Sequence, residues 1–409
     1  MGNRLDLLSR EYLESPHAHL TELRRRGPVV QVDPGGMWLV TRYEEAQQVL
    51  KSASLFSSQG LRASAQPAWL QRVNPFADSL LFLDPPQHGR LRALVSRAFA
   101  PAALARLEAR IRGVAREHVA GMMNQKNVDF VDAFAMPIPA TVMGWLLGLD
   151  ASLHQRFNRW ANDLVTMSGV RPEDTGAMAR YHQTLEEMER YFQGVLDDRR
   201  DAPRDDMASD LLRAQVEGEA LTNHELLSFL YLLLVAGLET TVNLLNQCAL
   251  VFSQHPELLL RLREDPALIP RFIEETLRYE PSVMATLRLC TQDVTLAGVE
   301  LPRGALVLVS LASANRDEKY FPDGDRFILE REGPQRLSFG HGPHFCMGAM
   351  LSRLEARVAL EEFVSRVERL ELRTDHLDWT TALLVRGPVT LPVEVFAPES
   401  GQPVTARIA

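Results

Sequence analysis

Apolar positions change period several times along this chain, and each change marks an element. Residues 28–41, PVVQVDPGGMWLVT, alternate around an Asp-Pro-Gly-Gly turn and predict two short strands. From about residue 87 to 260 apolar residues recur at helical spacing, broken at proline- or glycine-bearing turns. Within that span Thr222 and Glu225 form a capping-box pattern, opening a helix predicted to run to His255, just before Pro256. Its centre is apolar on nearly every face, so it is expected to thread the interior. Between 281 and 311 the period shortens to two, and VTLAGVELPRGALVLVS predicts strands with turns at Ala297-Gly298 and Arg303-Gly304. Residues 312–345 keep no period, a long irregular segment of the kind that is usually functional inside a compact chain. Helical spacing returns after Cys346, and 383–397 reverts to short strands. The pattern predicts a mainly α chain with small β-sheets (α+β), without a composition shift to mark a linker.

Composition narrows the function classes. The chain has 409 residues, enough for a large core at 46% hydrophobic content. A net charge of -9, with no arginine- or lysine-rich tract, argues against nucleic acid as a partner. Three cysteines, Cys248, Cys290 and Cys346, lie far apart, which excludes a disulfide scaffold and suits a reducing cytoplasm. MGNRLDLLSREYLESP has no stretch resembling a signal peptide or membrane anchor, and Asp6 stands where myristoylation needs Ser or Thr. The longest apolar run, FLYLLLVAGL at 229–238, is too short to span a bilayer.

Two local departures carry chemistry. In FGHGPHFCMG, residues 339–348, Gly340 and Gly342 allow a sharp turn that delivers Cys346 to a helix start. Free amides and the helix dipole there favour a thiolate, which is either a metal ligand or a nucleophile. The second departure is Ala236-Gly237-Leu238-Glu239-Thr240-Thr241, midway along the apolar helix. A mid-helix glycine costs about 1 kcal/mol relative to alanine, and a buried acid must be satisfied or solvated. These penalties point to a place where the helix opens for a ligand and carries a proton path, or to close packing around Gly237 with Glu239 in an ion pair. Cys248, among leucines, and Cys290, in a strand, read as small buried hydrophobes.

Other charged residues are weaker signals. Glu275 and Arg278 sit one turn apart on a helix, and Arg326 is placed to close a buried triad with them. His88 and Arg92 share a helix face, Arg288 interrupts an apolar strand, and His344 lies just before Cys346.

Taken together, DPPQHGRLR, AGLETT, EETLR, ATLRL, ANRDEKYFPDGDRF and FGHGPHFCMG occur in the order and spacing of the cytochrome P450 family, which this chain closely resembles over almost its whole length. The resemblance implies that residues 1–409 form one catalytic domain of a haem-thiolate monooxygenase using haem b and O2. Cys346 would be the axial ligand of the haem iron. Phe339 would pack beside it and Gly348 would let the helix approach the porphyrin. His88, Arg92, Arg288 and His344 match the positions that hold the haem propionates. Glu239 and Thr240 match the acid–alcohol pair that relays protons, while Ala236 and Gly237 leave room for oxygen. Glu275, Arg278 and Arg326 match the structural triad behind the thiolate loop. Gly324 stands where the family often has proline, Ile328 where bacterial members often have aspartate, and Glu239 where aspartate is commoner.

Three other readings compete. His341, His344 and Cys346 as a zinc cluster lack a clear fourth ligand. A haem-binding sensor or carrier without turnover has no use for the Glu239-Thr240 pair, and peroxide-driven relatives typically replace it. Electrons are therefore expected from a ferredoxin and its reductase, docking on Arg353, Arg357, Arg90 and Arg97. By position, Leu232, Val235, Met284, Ala285, Thr286, Leu384 and Val385 line the substrate pocket, which implies a hydrophobic small molecule, terpenoid-like by resemblance. Residues 60–82 and 158–183 would form an access lid, with Trp69, Phe76, Trp160 and Met167 as contacts. A cytoplasmic monomer without a membrane anchor is expected.

Overall fold

The computed structural model describes residues 4–96, 99, 101–167, 170, 173–216 and 219–398. Its axis is the helix Asn223–Gln254, in which the capping box forms: Thr222 Oγ1 accepts the Glu225 amide, and Glu225 returns a bond to the Thr222 amide. His255 ends it, as the proline after it requires. This helix is apolar and long enough to cross a membrane, but 78% of its most apolar window is buried inside the protein. It is a core helix. Around it pack Pro137–Leu147, His154–Thr166, Ile269–Tyr279 and Ala349–Val364. Stacked rings tie three of these helices together: Phe252 lies on Phe272 at 4.6 Å and on Phe363 at 6.1 Å.

The strands form small separate sheets. Val29–Val32 pairs antiparallel with Met37–Val40 across the predicted turn, where Gly35 and Gly36 both take positive φ. Leu306–Ser310 joins Met37–Val40 in parallel, Ala285–Cys290 pairs antiparallel with Leu306–Ser310, and Phe56–Ser57 closes the edge. The hairpin Val294–Leu296 to Val299–Leu301 turns at Ala297-Gly298, as the alternation predicts. Arg369–Leu372, Pro392–Phe396 and Val128–Asp129 make a second sheet. One apolar cluster fills the helical body and a second lies under the larger sheet. Residues 312–345 are largely irregular, with a few hydrogen-bonded turns and the short 3-10 helix Gly342–His344. Cys248 and Cys290 are both buried.

The flaw in the central helix differs from expectation. The helix runs through residues 236–241 without interruption, and the Thr240 hydroxyl bonds back to the Ala236 carbonyl at 2.8 Å. What opens is side-chain cover: Ala236 is exposed and Gly237 half-exposed in an otherwise buried stretch, because both face a cavity. Gly237 also admits the Met143 thioether, which a Cβ would meet at 2.5 Å.

Candidate active site

The cavity has a volume of about 400 Å³ and lies between the central helix, strand Ala285–Cys290, the cysteine loop and the chain at 382–385. The loop is shaped by its glycines. Gly340 and Gly342 hold φ of 73° and 69°, and a Cβ on Gly342 would stand 2.5 Å from the Leu50 carbonyl oxygen. The Cys346 amide donates to the Phe339 carbonyl at 2.9 Å, closing the turn and presenting the sulfur to the cavity. Backbone N–H groups of Gly348 and Ala349 point at that sulfur. They do not suffice to ionise the free thiol: burial pushes its pKa up, against these donors and the Arg92 and Arg353 charges. The expected preference for a free thiolate is thus reversed by desolvation, and a cation at the sulfur is needed to hold it ionised. Phe339 lines the cavity with its ring under the Arg353 guanidinium, 4.4 Å away, and Gly348 lines it beside the sulfur.

Basic groups converge on the same cavity, and among the described residues none of them is in an ion pair; Asp84, bonded to Ser57 and Ser58, acts on Arg288 and His88 only through its charge. Arg288 is buried, and its Nη1 donates to Thr286 Oγ1 and the Leu287 carbonyl; burial lowers its pKa to about 10. The His88 and His344 rings are 4.1 Å apart. Burial, then the charges of Arg288, His88 and Arg92, push His344 down to about 3, and His344 Nε2 meets Ser58 Oγ at 2.9 Å. His88 is lowered by burial and by Arg92, and its Nε2 has no hydrogen-bond partner. Arg92 is committed differently, donating to the Pro343 and Phe345 carbonyls at 3.1 and 2.6 Å, so that it also staples the cysteine loop. A buried arginine in no ion pair and an unpartnered imidazole are what an anionic ligand requires. The residues present therefore fit a haem: Arg288 and His88 would hold its carboxylates and Cys346 would ligate its iron. Among the described residues no group of three His, Cys, Asp or Glu side chains is arranged to hold a metal ion, which leaves the His341–His344–Cys346 zinc reading without support.

Glu239 lines the opposite wall. It is 9% exposed, its Oε2 has no partner, and burial raises its pKa to about 7. The ion pair considered for it does not form. Leu232, Val235, Ala285, Thr286, Leu384 and Val385 line the cavity as expected. Met284 does not: its side chain points into the core, while its amide bonds to the Leu384 carbonyl. Val283, bridged to Val385, takes the wall instead. Of the four lid contacts only Phe76 lines the cavity; Trp160 is fully buried among aromatic rings, and residues 168, 169, 171 and 172 of that lid lie outside the described residues.

The triad also needs correction. Arg278 makes a two-pronged pair with Glu275, both bonds at 2.8 Å and both residues fully buried. The third member is Arg331, whose Nε reaches Glu275 Oε1 at 3.0 Å. Arg326 is exposed and contributes only its carbonyl, which accepts from Arg278 and Arg331. The Arg278 guanidinium also binds the Asn315 and Gly324 carbonyls, anchoring the irregular segment before the cysteine loop. Glycine at 324 follows from packing, since a Cβ there would lie 2.6 Å from the Arg316 carbonyl oxygen. Of the docking arginines, Arg353 pairs with Glu274 at 2.5 Å, Arg357 with Glu108 and Glu361, and Arg90 lies 3.9 Å from Glu225; Arg97 is outside the described residues.

Sequence and structure comparisons agree with this geometry. The cytochrome P450 family model matches residues 2–381. The chain is 38% identical over 358 residues to the erythromycin C-12 hydroxylase of Saccharopolyspora erythraea, covering 87% of this chain and 88% of that enzyme. To the cyclomarin C epoxidase of Salinispora arenicola it is 36% identical over 379 residues, covering 93% and 95%. A solved cytochrome P450 from Chondromyces apiculatus superposes with a TM-score of 0.88 at 37% identity, covering 98% of this chain and all of that one. The first two are a hydroxylase and an epoxidase, and the family works with haem b and O2. This chain belongs to the cytochrome P450 family and is a monooxygenase of it.

Proposed function

We propose that this protein hydroxylates, or epoxidises, an apolar secondary metabolite, with electrons delivered by a ferredoxin and its reductase. One observation carries the reading: a cysteine on a glycine-shaped loop, basic groups in no ion pair, and a buried acid followed by a part-exposed threonine all face one largely apolar cavity. Haem b, when bound, supplies the activation of O2 and the oxidising step. The chain's own residues do the rest. Cys346 ligates the iron from a sulfur held by the Gly348 and Ala349 amides. His88, Arg288 and His344 take the propionates, with Arg92 holding the loop. Glu239 carries a proton near neutral pH, and the Thr240 hydroxyl beside it receives and passes that proton into the cavity. Ala236 and Gly237, with little side-chain bulk, would leave room in the cavity for oxygen beside a bound haem. Glu275, Arg278 and Arg331 retain the haem by fixing the chain behind the loop.

The substrate wall formed by Leu232, Val235, Ala285, Val385 and Phe76 holds no charge, which favours a neutral lipophile such as a terpenoid. A macrocyclic substrate is the second reading, favoured by the erythromycin hydroxylase and cyclomarin epoxidase relatives. Residues 1–409 act as a single catalytic domain, monomeric and cytoplasmic. A spectral screen of the ferric holoenzyme against terpenoid, steroid and macrolide panels tests this: a low- to high-spin shift with terpenoids is expected, and a response confined to macrolides would replace the first reading with the second. Omission of the ferredoxin should abolish NADPH-dependent product, and undiminished turnover with peroxide alone would contradict the proposed electron route.

A further inference from the structure

The cavity wall at 382–385 has neither a helix nor a sheet ladder behind it, yet it supplies Leu384 and Val385 to the cavity. Isolated bridges join Val385 to Val283 and Trp379 to Pro388. The Thr380 amide donates to the Gly387 carbonyl at 3.0 Å, and Thr380 Oγ1 accepts the Gly387 amide at 3.2 Å. With so few main-chain bonds, side chains must set how far this wall stands into the cavity.

Arg386 is placed to do so. It follows Val385 directly, but Val385 lines the cavity and Arg386 does not, as alternation along extended chain requires. Arg386 is 7% exposed, and its guanidinium stacks on the Trp379 ring 3.6 Å away. Its Nη1 donates to the Leu13 carbonyl in the last turn of the helix Arg10–Glu14, an end that favours a cation. Its amide donates to the Ser282 carbonyl at 2.9 Å. Beside it, a Cβ on Gly387 would collide with Asn243 Oδ1, so the backbone there rests directly on the central helix. Among the described residues Arg386 is in no ion pair. Glu280, paired with His17 and Arg316, acts on it only through its charge, and burial lowers its pKa to about 10. A buried guanidinium without a paired acid is costly, and an apolar side chain of similar volume would fill the space without that cost. What the arginine adds is geometry, a tie between the wall, the ring and the N-terminal helix.

We propose that Arg386 is a positioning residue for substrate specificity, holding Leu384 and Val385 at a fixed depth in the cavity by tying their segment to Leu13 and Trp379. It touches neither substrate nor cofactor and acts through those two wall side chains. The inference rests on the monooxygenase reading and goes beyond it in assigning what fixes the shape of the pocket. Without the tie the wall is free to move. A ligand that fills the pocket then loses preorganised contacts, whereas one too small to reach the wall is unaffected.

Two azoles that ligate haem iron test this on the ferric holoenzyme: imidazole, too small to reach the wall, and a phenyl-substituted imidazole that extends into the pocket. Arg386→Met should weaken the phenyl compound about 5-fold relative to imidazole, read as Kd from the Soret shift. Arg386→Lys, which keeps a donor for the Leu13 carbonyl, should recover part of that ratio. Trp379→Leu removes the ring under the guanidinium and should move the ratio in the same direction, a second route if Arg386→Met does not fold. An unchanged ratio, whether both azoles bind as before or both weaken equally, would overturn the proposal, because a purely structural role moves the two together. Failure of the monooxygenase reading would show instead in the wild type, as a missing thiolate-type carbon-monoxide band.

Discussion

Glu239 shows how a residue's surroundings set its chemistry. With no cation nearby, burial alone moves its carboxyl to about 7. The folded state therefore binds this proton more tightly than the unfolded chain, and the resulting stability is full below about pH 4.5 and lost as pH rises through 7. Glu239→Gln should flatten that part of the stability profile and remove an apparent pKa near 7 from the product-formation profile, while slowing turnover roughly 100-fold or more. Unchanged profiles in chemical denaturation and steady-state assays would remove Glu239 from the proton path. The Glu275 carboxylate presents the opposite case, since it neutralises Arg278 and Arg331 in the interior. Glu275→Gln leaves both guanidiniums uncompensated and should destabilise the fold by about 3–5 kcal/mol, measured by denaturation and accompanied by poor haem loading.

Elements place these residues through contacts that the local pattern records unevenly. The central helix was legible from its capping box and unbroken apolar faces, and the strand turns from Ala297-Gly298 and Gly304. Its opening onto the cavity was legible only as a run of misfit residues; that the backbone stays helical there, with Met143 packed on Gly237, was not. Arg331 escaped because an arginine in an aperiodic segment looks the same whether it is solvated or buried on Glu275, and Arg326 nearby looked equally suitable. Met284 failed for a related reason, since a strand end twists and alternation alone does not say which face meets the cavity. Packing also ranks the glycines. Gly324→Ala pushes a methyl against the backbone oxygen of Arg316 and should destabilise by about 1–3 kcal/mol, whereas at Gly237 the flexible Met143 side chain can yield. Thermal melts of the two alanine variants should fall in that order.

At the scale of the molecule, the proposed electron carrier, an acidic ferredoxin, would have to dock on a local basic face of this acidic chain. Arg353 and Arg357 flank the cysteine helix on that side, 38% and 30% exposed, and each is already paired with glutamate. Reversing both charges should slow reduction by the ferredoxin and flatten its dependence on ionic strength, read by stopped flow on variants with full haem content. Identical kinetics would move the docking face elsewhere. The proposed arrangement, with basic groups to meet the haem carboxylates, a proton path through Glu239 and Thr240 and the sulfur of Cys346, has its purpose only if Cys346 ligates iron as a thiolate. The absorption spectrum of the reduced, carbon-monoxide-bound protein tests this most directly. With full haem loading the wild-type protein should show the red-shifted Soret band of thiolate ligation, lost in Cys346→His; an unshifted band in the wild type would contradict the assignment of Cys346 and the monooxygenase chemistry built on it.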